Sequence, residues 1–299
     1  MRAVLYDRFG GIDQLDVADL PDPQAAPGTV VVRVQATGIN PGSLAALHGA
    51  AFTPIRDLAG EVVAVGEGVE GLAVGDEVLG WAQDWLAHAQ LVAVPAAQLV
   101  PKPAALSWDV AGSLYVTSMA GLAGVKAVGP QASEVVVVSG ASGGVGLVSA
   151  QLARRADATV IGLTGQDNAG WVRDRGIIPV AYGGGQEERL RAAAQGQPIN
   201  AFIDAVGFGS VDLALALGVP KQRINTVVDF QAAREHGVKT MGTREAGGRP
   251  ALQELADLAA AGALEIPIAA TYPLGRVQEA YRLVAGRGTR GKIVLHPQE

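Results

Sequence analysis

The chain has 299 residues, of which 49% are hydrophobic and 40 are glycine, and its formal net charge is −6. This length accommodates about two domains with sizeable cores. The acidic balance excludes a nucleic-acid or anionic membrane surface as the main partner, because both attract an excess of positive charge. The sequence contains no cysteine, which excludes disulfides, thiolate nucleophiles and sulfur-ligated metal sites.

The N-terminal segment and the most apolar stretch bear on localisation. The opening residues MRAVLYDRFGG lack the apolar core of a signal peptide. The stretch 135–153 is free of charge and close to the length of a membrane span, but its centre, SGASGGVG, predicts a turn between a strand and a helix. We therefore expect a cytoplasmic protein with no membrane partner.

The first hundred residues predict a β-rich domain. Short β-branched runs separated by Gly, Pro and Asp predict strands at 2–6, 29–36, 61–65, 77–81 and 91–95. Helical periodicity is limited to a weak turn around 43–48. Prolines at 95, 101 and 103 indicate a boundary, so that the first part of this domain is predicted to span 1–107.

From residue 108 the pattern changes to alternating strands and helices. The run 135–138 is wholly apolar, as expected for a parallel strand buried on both faces, and 144–155 is an amphipathic helix. Further strands are predicted at 159–163, 178–181, 201–204 and 223–228, and further helices at 168–175, 187–194, 210–217 and 231–236. This alternation predicts a doubly wound parallel α/β sheet over 108–240.

The last sixty residues are predicted to return to the first domain. Helices are predicted at 250–261 and 275–285, with strands at 267–272 and 292–295. The nucleotide-binding sheet would then be inserted into a discontinuous β-rich domain that 241–299 completes.

The turn between the strand 135–138 and the helix 144–155 predicts a dinucleotide site. Gly143 would let the backbone approach a pyrophosphate, Gly146 would let the helix pack on the strand, and the helix N-terminus would attract phosphate. The turn residues are Ala141, Ser142, Gly143, Gly144, Val145 and Gly146. The alternative is an ordinary glycine-rich turn, which is disfavoured by the repeated strand–helix context.

The end of the second strand bears on the choice of cofactor. No carboxylate stands at Leu163 or Thr164 to bind a ribose 2′-hydroxyl, which disfavours NAD. Asp167 follows shortly and is compatible with a helix N-cap, while no basic residue appears before Arg173 to bind a 2′-phosphate. The local sequence leaves both cofactors open.

Several motifs in order resemble one family along nearly the whole chain. The opening MRAVLYDRFGG, then VRVQATGINPGS, RDLAGEVVAVGEGVEGLAVGDEV, SGASGGVG and the closing TRGKIVL are similar to the zinc-free quinone oxidoreductase branch of the medium-chain dehydrogenase/reductase superfamily. The resemblance implies a GroES-like β domain, a Rossmann domain, and hydride transfer from NADPH to a quinone, an enone or an enoyl thioester. Asn40 stands where zinc-dependent relatives place a catalytic cysteine, so no metal is expected.

The resemblance also supplies candidate residues. Further cofactor contacts are expected at Thr164, Gly165, Asn168, Tyr182, Ala205, Val206 and Lys292, with Tyr182 matching a tyrosine that lies against the adenosine ribose or phosphate in relatives. Candidate hydrogen-bond or proton donors are Asn40, Ser43, His48 and Tyr115. We expect NADPH as the cofactor, with NADH not excluded, a small hydrophobic electron-poor substrate, a homodimer, and no nucleic-acid partner.

The sequence departs from the family pattern at three places. Ser43 replaces the usual aspartate, residues 48–52 read HGAAF without the tyrosine of enoyl reductases, and Gly165 and Asp167 replace a Ser/Arg pair. The last change weakens the case for NADPH. His48 is either a proton donor or a solvated loop residue, and we favour the second; Tyr115 is either a proton donor or a packing residue.

Three other functions compete with this hypothesis. A zinc-dependent alcohol dehydrogenase is disfavoured by the missing ligands. A serine hydrolase would use Ser142 in the sequence GASGG, with His236 or His296 as the base. A non-catalytic NADPH sensor or partner protein on the same fold is compatible with the sequence.

Overall fold

A computed structural model describes residues 1–6, 8–48, 55–83 and 87–299, with the backbone alone at 55 and 56. The chain forms two compact units, Met1–Val116 with Arg249–Glu299, and Thr117–Gly248. The predicted boundaries, after 107 and after 240, fall earlier in the chain. Residues 108–112 lie in the first unit because they pack on one of its strands: the Gly38 N–H donates to the Gly112 carbonyl at 2.6 Å.

The strands and helices follow the predicted order. The strands are β1 (Arg2–Leu5), β2 (Asp16–Asp19), β3 (Thr29–Ile39), β4 (Ile55–Val65), β5 (Glu77–Gln83), β6 (Leu91–Pro95), β7 (Leu99–Pro101), β8 (Val135–Ser139), β9 (Thr159–Thr164), β10 (Ile178–Ala181), β11 (Ile199–Asp204), β12 (Ile224–Thr226), β13 (Ile268–Pro273) and β14 (Lys292–His296). The α-helices are α1 (Pro41–Leu47), α2 (Trp108–Ala111), α3 (Leu114–Val128), α4 (Gly144–Arg155), α5 (Ala169–Arg173), α6 (Gln186–Ala193), α7 (Ser210–Ala216), α8 (Phe230–His236), α9 (Gly248–Ala260) and α10 (Val277–Ala285).

The first unit is built on a mostly antiparallel sheet. Its strand order is β13-β14-β3-β4-β5-β7, with β6 paired to β3, and β1 and β2 form a separate pair. The long strand β3 pairs with β4 and β6 over its first part. Near its end it also pairs with β14, the last strand of the chain. The strand thus brings residues near 40 beside residues near 292.

The second unit is a five-stranded parallel sheet with the order β10-β9-β8-β11-β12. Every residue of β8 is buried, as expected for a strand covered by helices on both faces. Separate apolar clusters lie on the two faces: one contains Val137, Phe202 and Leu190, and the other contains Val138, Ile203 and Leu147. This arrangement confirms the predicted doubly wound α/β sheet.

Four elements were not predicted: the helices α2 and α3 and the strands β2 and β7. Helix α2 is a single turn of four residues, too short for helical periodicity to be recognised. The sequence of α3 is apolar around most of its circumference, so it lacks the polar stripe that reveals a surface helix. Strand β2 reads DVAD, and its two aspartates disfavour a strand, while β7 is only three residues long, too short for an alternating pattern to be recognised. Over the part of the chain that the structure describes, no helix is long and apolar enough to cross a bilayer.

His296 links strand β14 to helix α2 within the first unit. Its Nε2 lies 2.6 Å from Asp109 Oδ1, and its Nδ1 lies 3.1 Å from Glu299 Oε1. Partial burial alone would lower the pKa of His296, but the two carboxylates outweigh it and raise the pKa above the ordinary value of 6.5. The imidazolium is therefore stabilised in the folded chain.

The raised pKa of His296 predicts a pH-dependent contribution to stability. The contribution is fully present below the unfolded pKa and is lost as pH rises through the folded pKa. His296→Gln should therefore lower the unfolding temperature more at pH 6 than at pH 9. Asp109→Asn, which removes the nearer carboxylate, should show the same trend, and equal losses at both pH values would contradict this account.

Candidate functional site

The turn between β8 and α4 is shaped by glycine. Gly140 has a left-handed φ of +71°. A Cβ on Gly146 would lie 2.2 Å from the Gly140 carbonyl oxygen, so only glycine lets the helix approach this closely. A Cβ on Gly143 would meet only that same oxygen, at 3.4 Å, which leaves open space above the turn. The first N–H groups of α4, from Gly144 onward, lack acceptors within the helix and are available to an anion.

Ser142 holds the turn to the neighbouring strand rather than acting as a nucleophile. Its Oγ accepts hydrogen bonds from Thr164 Oγ1 at 3.0 Å and Asn168 Nδ2 at 3.1 Å, and all three side chains are buried. The histidines considered for a triad have other partners: His236 Nε2 lies 2.9 Å from Asp212, and His296 is bound as described above. Among the residues that the structure describes, Ser142 Oγ is bonded to Thr164 and Asn168 and to no histidine, which removes the support for a hydrolase.

Asp204, at the end of β11, joins three strand ends. It accepts hydrogen bonds from Ser139 and Thr226 hydroxyls, each at 2.7 Å. The N–H groups of Val206 and Gly207 also donate to it, at 3.1 and 2.9 Å. The Ala205 N–H donates to Ser139 Oγ at 2.9 Å. Ala205 and Val206, predicted as cofactor contacts, therefore have their N–H groups engaged and could offer a carbonyl or a side chain.

Tyr182 lies over the same turn. Its phenolic oxygen accepts the Gly140 N–H at 2.6 Å, while 40% of the residue stays exposed. Burial of the hydroxyl raises the pKa of Tyr182 to about 12, and the charge of Asp204 adds to the shift. The phenol therefore remains protonated and can donate its hydrogen. Arg189 fixes the loop that contains Tyr182 by donating to the carbonyls of Ala181 and Gly184, at 2.8 and 2.6 Å.

The residues that bear on cofactor choice lie at the surface after β9. Gly165 follows the strand, and a Cβ there would meet nothing within 4 Å. Asp167 is exposed in a short 3-10 turn, Gln166–Asn168, and Arg173 is exposed at the end of α5. Substitutions at these positions can change charge without disturbing the core.

The first unit contains a buried polar cluster that includes two of the predicted residues. Asn40 follows β3; its Nδ2 donates to Asp57 Oδ2 at 2.7 Å, and its Oδ1 accepts from Lys292 Nζ at 2.5 Å. Lys292 also donates to the Ile39 carbonyl at 3.1 Å. Lys292, predicted as a cofactor contact, is thus 4% exposed and bound within the β unit. Asp57 was not predicted; its only sequence signal is a carboxylate among small and apolar residues.

The other predicted donors lie elsewhere in this unit. Ser43 is buried in the first turn of α1, and its N–H donates to the Asn40 carbonyl at 2.9 Å. His48 is exposed after α1 with its ring beside Gly11, and the following residues 49–52 lie outside the described residues. Tyr115 is 4% exposed and stacks on Trp81, with ring centroids 4.2 Å apart. The stacking favours packing as its role.

Gly143 offers a direct test of the nucleotide turn. We expect Gly143→Asp to fold, because its backbone is extended and the space is open, but to lower dinucleotide affinity by more than about tenfold, or 1.4 kcal/mol. Gly143→Asn controls for side-chain size without charge and should lose less. Fluorescence titration measures both, and unchanged affinity in folded Gly143→Asp would contradict the assignment.

Comparison with known proteins places both units in one family. The model of the alcohol dehydrogenase GroES-like domain matches residues 26–104, and the model of zinc-binding dehydrogenases matches residues 180–295. The chloroplast envelope quinone oxidoreductase homolog of Arabidopsis thaliana is 26% identical, over 99% of this chain and 98% of that protein. The acryloyl-coenzyme A reductase of Metallosphaera sedula is 24% identical, over 94% of this chain and 96% of that protein.

A solved structure supports the same placement. A mycobacterial protein in complex with NADPH superposes with a TM-score of 0.85 at 25% identity, over 99% of this chain and all of that one. The GroES-like match lies in the first unit, and the parallel sheet with its glycine turn forms the second. The two models together match more than half of the chain, and over nearly its whole length the chain is similar to quinone oxidoreductases of the medium-chain dehydrogenase/reductase superfamily.

Proposed function

We propose that the protein is an NADPH-dependent reductase of a quinone, an enone or an enoyl thioester. The observation that carries this proposal is the open glycine turn at the N-terminus of α4, above Gly143. The names of two relatives, a quinone oxidoreductase homolog and an acryloyl-coenzyme A reductase, support the acceptor class. The NADPH complex of a structural relative supports the cofactor.

The residues of the turn fit a dinucleotide. A pyrophosphate can approach the Gly143 backbone, where no side chain intervenes, and accept hydrogen bonds from the first N–H groups of α4. The protonated Tyr182 hydroxyl supplies a further donor at the same edge. When bound, the nicotinamide supplies a hydride from its C4. The chain holds the cofactor in place and positions the acceptor.

Exposed apolar side chains beside this turn support a flat, hydrophobic acceptor. Phe208 follows β11 and is 74% exposed, and Phe230 follows β12 and is 51% exposed. Val228 is 45% exposed and lies close to Gly207, where an added Cβ would be 3.6 Å from Val228 Cγ2. Exposed aromatic groups at the carboxyl edge of a parallel sheet lie where ligands of this architecture bind.

The reduction needs a hydrogen-bond donor for the oxygen that becomes negative. Two electrons and one hydrogen pass to the acceptor as hydride, the cofactor is oxidised, and a proton from water completes the product. We assign the donor role to Asn40, whose Nδ2 has two hydrogens and makes one hydrogen bond among the residues that the structure describes.

The donor set around Asn40 does not fit zinc. Its amide oxygen is bound by the Lys292 ammonium, and a second cation there would be repelled. Within the described ranges, no group of three His, Cys, Asp or Glu side chains could hold a metal. The described side chains around Asn40 therefore do not fit the metal that the name of the zinc-binding dehydrogenase model implies.

Steady-state oxidation of NADPH with a panel of quinones, enones and enoyl thioesters tests the proposed function. We expect turnover with at least one acceptor, unchanged after exhaustive chelation. Tight NADPH binding without turnover of any acceptor would instead favour a sensor or partner protein. Loss of activity on chelation with recovery on adding zinc would contradict a metal-free site.

The preference for NADPH over NADH tests the role of Asp167. A carboxylate near a 2′-phosphate repels it, but an exposed charge is worth only about 0–1 kcal/mol, so we expect a modest NADPH preference. Asp167→Arg should raise kcat/KM for NADPH, and Asp174→Arg, the same charge change at the end of α5, should not. A wild-type enzyme with higher kcat/KM for NADH would contradict the proposed cofactor.

A further inference from the structure

We infer that Asp57 and Lys292 are positioning residues, which together orient and polarise the Asn40 amide that donates to the carbonyl oxygen of the acceptor. This inference rests on the proposed function. The three side chains are 0%, 4% and 6% exposed for Asp57, Lys292 and Asn40. The amide lies between the two charges, and Lys292 Nζ is 4.0 Å from Asp57 Oδ2.

The two neighbours fix the orientation of the amide. An ammonium only donates and a carboxylate only accepts, so Lys292 must face the Asn40 oxygen and Asp57 must face its nitrogen. The observed bonds, 2.5 Å to Oδ1 and 2.7 Å from Nδ2, satisfy this requirement. If the amide were flipped, its NH₂ group would face the Lys292 ammonium, and its oxygen would face the Asp57 carboxylate. One Nδ2 hydrogen is left over and points in a direction set by the other bonds.

The same two charges polarise the amide. A cation on the oxygen and an anion on one N–H both favour the form in which the nitrogen is more positive, which makes the remaining N–H a stronger donor. Such cooperativity strengthens each hydrogen bond by about 10–30% in condensed phases. Burial raises the pKa of Asp57 and lowers that of Lys292, and the attraction between the two charges opposes both shifts.

Asp57 is itself held from two further directions. Its Oδ1 accepts the Val116 N–H at 2.6 Å. Its backbone carbonyl accepts from the Thr37 hydroxyl at 2.7 Å, and Thr37 Oγ1 lies 3.0 Å from His88 Nδ1. Because the Thr37 hydrogen is used, His88 Nδ1 must donate to Thr37, and His88 Nε2 lies 3.1 Å from the Tyr281 hydroxyl. The carboxylate therefore cannot turn away from Asn40 without also losing the Val116 N–H, and the Thr37 hydroxyl holds the Asp57 backbone in place.

A double variant separates positioning from folding. Removing one charge alone would leave the other buried without a partner of opposite charge, which is strongly destabilising. We therefore choose Asp57→Asn combined with Lys292→Met, which removes both charges. We expect a folded protein with unchanged NADPH affinity, and a kcat lowered by at least about tenfold because the donor is less well placed. Asn40→Ala should lower kcat by about 100-fold.

The combination of variants decides whether the pair acts through Asn40. If it does, adding Asn40→Ala to the double variant should cost no more than Asn40→Ala alone. Ser113→Ala is a control: it removes a fully buried hydroxyl elsewhere in the first unit, where Ser113 Oγ donates to the Asp109 carbonyl at 2.6 Å, and it should leave kcat unchanged. Unchanged kcat in a folded double variant, or losses that simply multiply, would overturn the inference.

A readout independent of turnover is the ¹⁵N–¹H side-chain signal of Asn40, assigned by its loss in Asn40→Ala. The ¹H chemical shifts of its two amide hydrogens should differ from those of other asparagine side chains. In the double variant they should move towards those ordinary values. Unmoved signals would overturn the inference whether or not turnover is seen. A wild-type enzyme inactive with every acceptor contradicts the proposed function and the catalytic role of the pair together, whereas an active one with unmoved signals contradicts the pair alone.

Discussion

The second unit depends on how closely α4 approaches the end of β8. A methyl group on Gly146 would lie 2.2 Å from the Gly140 oxygen and 2.8 Å from the Ser139 oxygen, both far inside van der Waals contact. The next layer is equally tight, since a Cβ on Gly121 of α3 would lie 2.6 Å from Val148 of α4. Because strand, turn and helices are packed this closely, the helix N-terminus is fixed over the carboxyl edge of the sheet. The position of the proposed nucleotide site is thus a consequence of packing.

The two units bury their key carboxylates in different ways. Asp204 is surrounded by neutral donors, the hydroxyls of Ser139 and Thr226 and two backbone N–H groups. Asp57 instead has a lysine nearby and an amide between the charges. The first arrangement ties strand ends together through a fixed set of bonds. The second places the Asn40 amide between a cation and an anion, and among the described residues one of its Nδ2 hydrogens has no acceptor.

Much of the fold was predictable because its signals are local. The helix 144–155 and the strands 91–95 and 178–181 have the predicted bounds, since periodicity and flanking Gly or Pro mark them. Helix α3 was missed because it is buried on most sides and has no polar stripe. The domain limits shifted because α2 packs on β3, a tertiary contact that composition does not record.

The candidate site was predictable only where sequence neighbours form it. The glycine turn is one segment, so its spacing was enough. Asp57 was missed because its meaning comes from Lys292 at the far end of the chain, which strand pairing brings beside Asn40. Tyr115 could not be assigned until its stacking on Trp81 was seen. The roles of Asp57 and Tyr115 therefore depend on contacts between residues far apart in the sequence, which residue type alone does not predict.

The strand order of the parallel sheet places β10 and β12 at its two edges, where another chain could add a strand. Edge strands present unpaired backbone groups that can recruit further strands. On one edge, β10 contains Pro179, which has no N–H to offer and interrupts the row. On the other, β12 is three residues long, and its outer groups bond to Lys239, whose N–H donates to Ile224 and whose carbonyl accepts from Thr226. At both edges of this sheet, therefore, part of the outer backbone is either without an N–H donor or already bonded, which leaves fewer groups to pair with an added strand.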